Sequence, residues 1–259
     1  MNTKTLVTAL WLALALTASA GHAEDTAPAA PQQPAMENAV DPASIKALKN
    51  MGAFLQTLKR FQITNSLTGE RVLADGQKLQ HEAHADIDVV RPDKLYANLA
   101  TARSQREIFY DGKQVTLYAP QQKYYSTAEF SGTLATLVSK MEQRYGIELP
   151  LSDLFLWGTE AAPTDGIESA MNAGQDFIGD DLCDHYAFRQ GDIDWQIWIL
   201  NGDKPLPRKL VITNRADEAR PQSVSLIEWN LKPTFKETEF TFKPPKDGVA
   251  VEFHTVDKQ

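Results

Sequence analysis

The sequence has a single cysteine, Cys183, so no disulfide can form within one chain. It also lacks three common catalytic motifs: a serine nucleophile elbow, a glycine-rich phosphate loop and a His-Glu-x-x-His helix. Excess positive charge is missing as well, because the formal net charge is −8. This charge argues against nucleic acid as a partner and against a basic membrane-binding surface. These absences predict a fold held together by its hydrophobic core, with no cofactor.

No apolar run reaches the roughly 20 residues that a transmembrane helix needs. The run Leu6–Leu16 follows Lys4 and precedes small residues that end at Ala20 and Ala23. A basic start, a short apolar core and a small-residue cleavage site are typical of a secretory signal peptide. Residues 1–23 are therefore predicted to be a signal peptide, cut after Ala23 or alternatively after Ala20. The alternative is an uncleaved anchor.

The composition changes after the predicted cleavage site. Residues 24–40 are rich in alanine, proline and glutamine, and such a segment cannot bury enough apolar surface to offset its ordering entropy. This segment is predicted to be a disordered leader. No repeat or linker interrupts the rest, so residues 41–259 are predicted to form a single domain.

The start of this domain has the pattern of a helix. Asp41 followed by Pro42 is a helix-start signature, and Leu48, Met51 and Leu55 follow at helical spacing. The helix is predicted to end near Arg60.

The central stretch, residues 80–125, reads as an antiparallel meander of short strands. Its turn signals are Arg91-Pro92-Asp93, Asp111-Gly112 and Ala119-Pro120. Odd-numbered positions are largely apolar before and after these turns, so one face of the sheet is predicted to be buried.

A helical insert interrupts the strands at about residues 133–170, with a second short helix starting at Pro150. Strands then resume, and the expected ones are 175–179, 184–189, 193–200, 208–214 and 224–231. The sequence thus predicts a mainly β fold of about ten or eleven antiparallel strands, with one helix before them and a helical insert midway.

Several segments, taken in order, resemble the bacterial periplasmic lipoprotein carrier LolA and its relatives. They are the helix after a signal peptide, DVVRPDKLY, YDGKQVTLYAP and the closing FTFKPPKDGVAVEF. The mature chain is also similar to a family of predicted periplasmic proteins of unknown function that shares this fold. GDDLCDHYAFRQ, IDWQIWILNGDKPLPRKLVIT and IEWN carry that second resemblance.

The resemblance implies an incomplete antiparallel β-barrel with helices over its concave side as a lid, located in the periplasm. It also implies a cavity for a lipid or acyl chain, which in the carrier belongs to a lipoprotein, and a lid latch at Arg91. The inward residues expected to line the cavity are Ile87, Val89, Leu95, Leu99, Val115, Leu117, Trp195 and Ile197. The CDHYAF and DWQIW segments have no counterpart in the carrier.

Two pairs of side chains resemble a metal site and a nucleophilic site, but their positions favour a structural role for each pair. His81 and His84 lie three apart, so on a regular strand they face opposite ways and cannot bind one ion. Cys183 and His185 share a face, but a nucleophilic thiol needs a lowered pKa and an orienting third group. The sequence therefore predicts no metal site and no catalytic residue.

The hypothesis that follows is a periplasmic binding or carrier protein whose cavity holds a lipid or acyl chain. The first alternative is an envelope scaffold whose cavity is filled by its own aromatic side chains. The second is an envelope hydrolase with ionisable residues converging in a polar cleft. The volume and the lining of the cavity distinguish the three.

Overall fold

The structure is a computed structural model that describes residues 39–147, residue 149 and residues 151–255. The predicted signal peptide lies outside the described residues, as does the predicted leader apart from Ala39 and Val40.

The described residues form three α-helices, one short 3-10 helix and twelve β-strands. The helices are α1 (Pro42–Thr57), α2 (Leu134–Tyr145), α3 (Asp153–Leu156) and the 3-10 helix Glu237–Phe240. The strands are β1 (Arg60–Val72), β2 (Lys78–Val90), β3 (Lys94–Ala100), β4 (Gln105–Tyr110), β5 (Gln114–Ala119), β6 (Tyr124–Glu129), β7 (Ile167–Ile178), β8 (Asp181–Gln190), β9 (Ile193–Leu200), β10 (Pro207–Asn214), β11 (Gln222–Asn230) and β12 (Val249–Ala250).

All twelve strands belong to one sheet, in the order β12-β6-β5-β4-β3-β2-β1-β11-β10-β9-β8-β7. Every pairing is antiparallel except that of the two-residue β12 with β6. The two end strands do not pair, so the sheet stays open. The predicted fold class, a mainly β incomplete barrel with helices, is confirmed, and β12 is the strand beyond the predicted ten or eleven.

Helix α1 begins as predicted and ends slightly earlier. The Asp41 carboxylate accepts hydrogen bonds from the backbone N–H groups of Ala43 and Ser44, both at 3.0 Å, which satisfies two donors at the helix start. The helix ends at Thr57 rather than near Arg60. Its buried apolar face joins the main core.

The main hydrophobic core lies on one face of the sheet, called here the inner face. Residues from the three helices and from β1 to β11 contribute to it. On β2, the buried positions are Ala85, Ile87 and Val89, which alternate as predicted. The first residues of β2 are exposed, and Leu79 is 38 % exposed. The predicted apolar face of β2 is therefore buried only in its second half, because the β1–β2 hairpin extends beyond the core.

The insert between β6 and β7 is less helical than predicted. Helix α2 ends at Tyr145 and is followed by Gly146, whose φ of 63° is the left-handed conformation that glycine favours at a helix end. Helix α3 has only four residues, and β7 begins at Ile167, not at Gln175. The prediction of a helical insert continuing to Ala170 is wrong over residues 167–170, which belong to β7.

The opposite face of the sheet, the outer face, is partly covered by the C-terminal segment. The Phe242 ring lies 5.1–5.3 Å from the rings of Phe109, Tyr118 and Tyr125. Such spacings are typical of favourable aromatic contacts. The segment therefore holds β4, β5 and β6 together from outside, while the helices cover the inner face.

Candidate functional site

A cavity of about 250 Å³ lies on the inner face of the second half of the sheet. Nearly all of its wall is apolar, and the side chains of Asp153 and Gln190 are the polar exceptions among the residues that line it. The lining residues are Leu151, Asp153, Leu154, Trp157, Pro163, Gln190, Ile193, Trp195, Ile197, Pro207, Leu210, Ile212 and Ile227.

Strands β9, β10 and β11 form the floor of the cavity. Ile197 pairs with Leu210, and Trp195 pairs with Ile212, across the β9–β10 ladder. Because side chains alternate along a strand, each directly paired couple points to the same face. Four apolar side chains therefore form a continuous patch, and Ile227 extends it onto β11.

The segment around α3 forms the roof. Leu151, Leu154 and Trp157 all line the cavity from this side. The Trp157 ring lies 6.2 Å from the ring of Trp195, and the Phe188 ring stacks on Trp195 at 4.1 Å. Aromatic side chains thus occupy part of the space between roof and floor, and the remaining volume is the cavity.

The end of the roof is fixed to α1 by a close backbone contact. A Cβ atom added to Gly52 would lie 2.5 Å from the backbone nitrogen of Gly158, a distance that real Cβ atoms do not show. Gly158 has a φ of +80°, which glycine adopts without strain. The Gln56 side chain donates a hydrogen bond to the Trp157 carbonyl at 2.6 Å. Two glycines and one amide therefore hold the roof against α1.

Gln190 orders one side of the cavity. Its Nε2 donates to the Asp165 carbonyl at 2.6 Å, and its Oε1 accepts a hydrogen bond from the Trp195 indole at 3.2 Å. Both ends of the amide are therefore engaged by the protein. The residue acts as a brace between the segment after the roof and the floor.

Two of the predicted lining residues, Trp195 and Ile197, line this cavity. The other six lie elsewhere in the first half of the sheet, and they do not line it. Ile87, Val89, Leu95 and Val115 are buried in the main core, Leu117 packs against that core, and Leu99 is half-buried. A lining role for these six stays a prediction.

Arg91, the predicted latch, follows β2 and lies partly in the interior. Its guanidinium carbon is 5.9 Å from the ring centre of Phe61, and burial lowers the pKa of Arg91. Its Nε and Nη2 atoms are buried and have no hydrogen-bond partner in the described part of the chain. The turn instead contacts α2 through the Pro92 carbonyl, which accepts from the Leu134 N–H at 2.9 Å. A latch role for Arg91 stays a prediction.

The predicted lining set contains two residues of the cavity floor, Trp195 and Ile197, and none of the roof residues. Leu210 and Ile212 lie two residues apart in the segment KLVIT, so they share one face of the strand. Val211 between them is also apolar and packs in the second core on the outer face, so the pattern did not show which face points to the cavity. The roof carried no comparable signal, because α3 is too short to show helical periodicity.

The cysteine–histidine pair on β8 does not form a nucleophilic site. Cys183 is fully buried, and burial raises the pKa of its thiol to about 11, the reverse of the lowering that activates a thiol. The His185 ring stacks on Trp198 at 4.0 Å, and its Nε2 is 3.0 Å from the Gln196 Oε1. These residues pack the outer face, where Cys183, Trp198 and Val211 form a second small core.

The described residues contain no group of three or more His, Cys, Asp or Glu side chains able to hold a metal ion. His81 and His84 are both exposed, and His84 lies 3.4 Å from the Asp86 carboxylate. Among the residues that the structure describes, no helix is long and apolar enough to cross a bilayer.

The fold and the cavity together define a class: a protein with one open antiparallel sheet and a helix-covered apolar cavity. The chain belongs to the DUF2092 family, described as predicted periplasmic proteins, whose model matches residues 44–254. The predicted membership in a family of periplasmic proteins of unknown function is thereby confirmed, and so is the predicted periplasmic location.

Three solved structures to which this chain is similar have low sequence identity. The lipoprotein LppX of Mycobacterium tuberculosis is 11% identical with a TM-score of 0.48, covering 75% of this chain and 98% of that one. LprF from Mycobacterium bovis is 10% identical with a TM-score of 0.40, covering 74% and 96%. A LolA superfamily protein from Nitrosomonas europaea is 10% identical with a TM-score of 0.35, covering 77% and 97%. No curated protein matches the chain.

Proposed function

We propose that this protein binds a single acyl chain in the apolar cavity between the α3 roof and the floor formed by β9, β10 and β11. The observation that carries the proposal is a cavity of about 250 Å³ whose wall is almost wholly apolar. Among the described residues that line the cavity, Asp153 alone has a carboxylate, so this part of the wall has no converging set of ionisable groups. This lining favours binding over catalysis.

The size of the cavity limits what it can hold. Sites for small molecules usually measure about 300 Å³ or more, and this one is slightly smaller. It has room for one chain rather than for several. The Trp157 and Trp195 rings already fill the neighbouring space.

The energy available to such a ligand comes from apolar burial. Each buried methylene contributes about 0.8 kcal/mol, so a segment of about eight methylenes supplies roughly 6 kcal/mol before ordering costs. Apolar burial alone can therefore drive binding, without any charged contact between the ligand and the protein. The binding of a chain therefore requires only the lining that the structure shows.

The test is a titration of the mature protein with a fluorescent fatty acid, in the parent and in a Leu210→Trp variant. Leu210 lies on the floor, so the larger indole side chain of the variant would fill part of the cavity in which the acyl chain is proposed to bind. We expect saturable binding by the parent and a loss of at least about tenfold in affinity in the variant. Native mass spectrometry of protein purified from periplasm then identifies the chain that it carries.

A matched control is Leu226→Trp. Leu226 is 44% exposed and pairs with Lys209, so it lies on the outer face of the adjacent strand. This variant should bind as the parent does. Equal binding by all three proteins would place the ligand outside the cavity, and no binding by the parent would favour a scaffold closed by its own side chains.

A further inference from the structure

Among the buried side chains on the inner face of β1, one is polar. Asn65 is only 4% exposed and shares its side of the strand with Phe61 and Ile63, both in the main core. Its Oδ1 atom has no hydrogen-bond partner in the described part of the chain. Buried polar groups are nearly always paired, so an unpaired one calls for an explanation.

The position of Asn65 in the sheet places it beside the cavity. It pairs directly with Ile227 of β11, a lining residue. Its amide nitrogen lies 3.4 Å from the Ser225 hydroxyl, which is also buried. Ser225 in turn pairs with Leu210, another lining residue. Asn65 thus lies one strand spacing of about 5 Å from Ile227, and Ser225 lies two residues before Ile227 on β11, so the pair borders the floor.

The unpaired atom is the acceptor end of the amide. The Asn65 nitrogen contacts the Ser225 hydroxyl at 3.4 Å, and the Oδ1 oxygen meets no donor in the described part of the chain. An amide oxygen accepts hydrogen bonds. A hydroxyl group on a ligand can donate one to it, and a plain hydrocarbon chain cannot.

We infer that the Asn65–Ser225 pair is a polar subsite that selects an acyl chain bearing a hydroxyl group. The inference rests on the proposed function, because it adds a specificity to the same cavity. A chain that lies over Leu210 and Ile227 and extends towards β1 brings its hydroxyl to the amide of Asn65. A plain chain leaves that amide unpaired, which weakens its binding relative to the hydroxylated chain.

The experiment compares a saturated fatty acid with its monohydroxy isomers of the same length, each displacing a fluorescent fatty acid from the parent protein. We expect one isomer to bind about tenfold more tightly than the unsubstituted acid. This comparison uses the unmutated protein alone. If the unsubstituted acid binds and no isomer binds more tightly, the inference is overturned and the proposed function stands. If the unsubstituted acid does not bind either, both the inference and the proposed function fail.

A variant then assigns the preference to Asn65. Asn65→Leu replaces the amide by an apolar group of similar size, so we expect the ratio between the affinities for the hydroxylated isomer and for the unsubstituted acid to fall to about one. Asn98→Leu makes the same change on β3, where Asn98 accepts a hydrogen bond from Gln105 at 2.9 Å and points away from the core residues Leu95 and Ala97. This control should keep the preference. If the Asn65→Leu protein still prefers the hydroxylated isomer, a group other than Asn65 binds the hydroxyl.

Discussion

Asp88 is a half-buried carboxylate on the outer side of β2, between the buried residues Ile87 and Val89. Burial raises the pKa of its carboxyl, and the negative charges of Glu239 and Asp86 add to this rise, against a hydrogen bond from Gln62 that lowers it. A carboxyl whose pKa is higher in the folded protein than in the unfolded chain makes its full contribution to stability at pH values below its pKa in the unfolded chain. That contribution is lost as the pH rises through its pKa in the folded protein.

Replacing Asp88 by Asn tests whether the ionised carboxylate of Asp88 lowers the stability of the fold. Asn keeps an oxygen that can accept the 2.8 Å hydrogen bond from Gln62, while the charge is removed. We expect Asp88→Asn to raise the free energy of unfolding at pH 7 by up to about 1 kcal/mol. At pH 3, below the ordinary Asp pKa of about 3.9, the two proteins should be equally stable. Urea denaturation at both pH values measures the difference.

An exposed aspartate serves as the control for this prediction. Asp203 lies in the turn between β9 and β10 and is exposed, so Asp203→Asn should leave the stability unchanged at both pH values. A stability gain of Asp88→Asn that is the same at pH 3 and pH 7 would mean that packing, and not ionisation, is its cause.

At the scale of elements, the contact of α1 with the end of the roof determines where the roof lies. Alanine in place of glycine usually stabilises a helix by about 1 kcal/mol. At Gly52 we expect the opposite, because the new Cβ would approach the Gly158 nitrogen to 2.5 Å. Gly52→Ala should lower the free energy of unfolding by about 1–3 kcal/mol, measured by thermal or urea denaturation.

The neighbouring exposed position provides the comparison. Ala53→Leu adds a larger side chain to the same helix without facing the roof, and it should change stability by no more than about 0.5 kcal/mol. Since Gly52→Ala displaces Trp157, it should also weaken the binding of a fatty acid. A stabilised Gly52→Ala protein would show that the roof moves away at little cost.

Elements with a strong local signal were predictable from the sequence. The cap at Asp41 and the meander of β2 to β5 are specified by local turn and period signals, and the structure has them. Strand β7 was predicted only from Gln175 onwards. Residues 171–177 are all exposed, so no alternation of burial marks this part of the strand. Its strand conformation comes from the ladder with β8, which no local pattern reveals.

At the scale of the whole molecule, the inward faces were predictable and the location of the cavity was not. Alternation indicates which side chains point inward, and in the structure Trp195 and Ile197 belong to the main core on the inner face. Whether inward side chains touch one another or leave a void depends on the segment that covers them. In the first half of the sheet, Ile87 and Val89 are buried by that cover, whereas β10 faces open space beneath α3.

Hydrogen exchange across the whole chain tests whether the covering segment and the ligand form one cooperative unit. Helix α3 has only four residues, so we expect residues 151–157 to open locally more often than the central strands. If this opening releases the chain, a bound fatty acid slows exchange there by a factor of one plus the ratio of its concentration to Kd. At a hundredfold excess over Kd the slowing is about 100-fold.

The distribution of this slowing along the chain shows whether the roof encloses the ligand. The turn at Gly179 and Asp180 lies at the far tip of the β7–β8 hairpin, where both residues are exposed, so its exchange should not change. A slowing confined to residues 151–157 and the floor would mean that the ligand is enclosed by the roof and leaves when the roof opens. Unchanged exchange in the roof of a protein that binds fatty acid would mean that the chain enters and leaves without it, which contradicts a roof that acts as a lid.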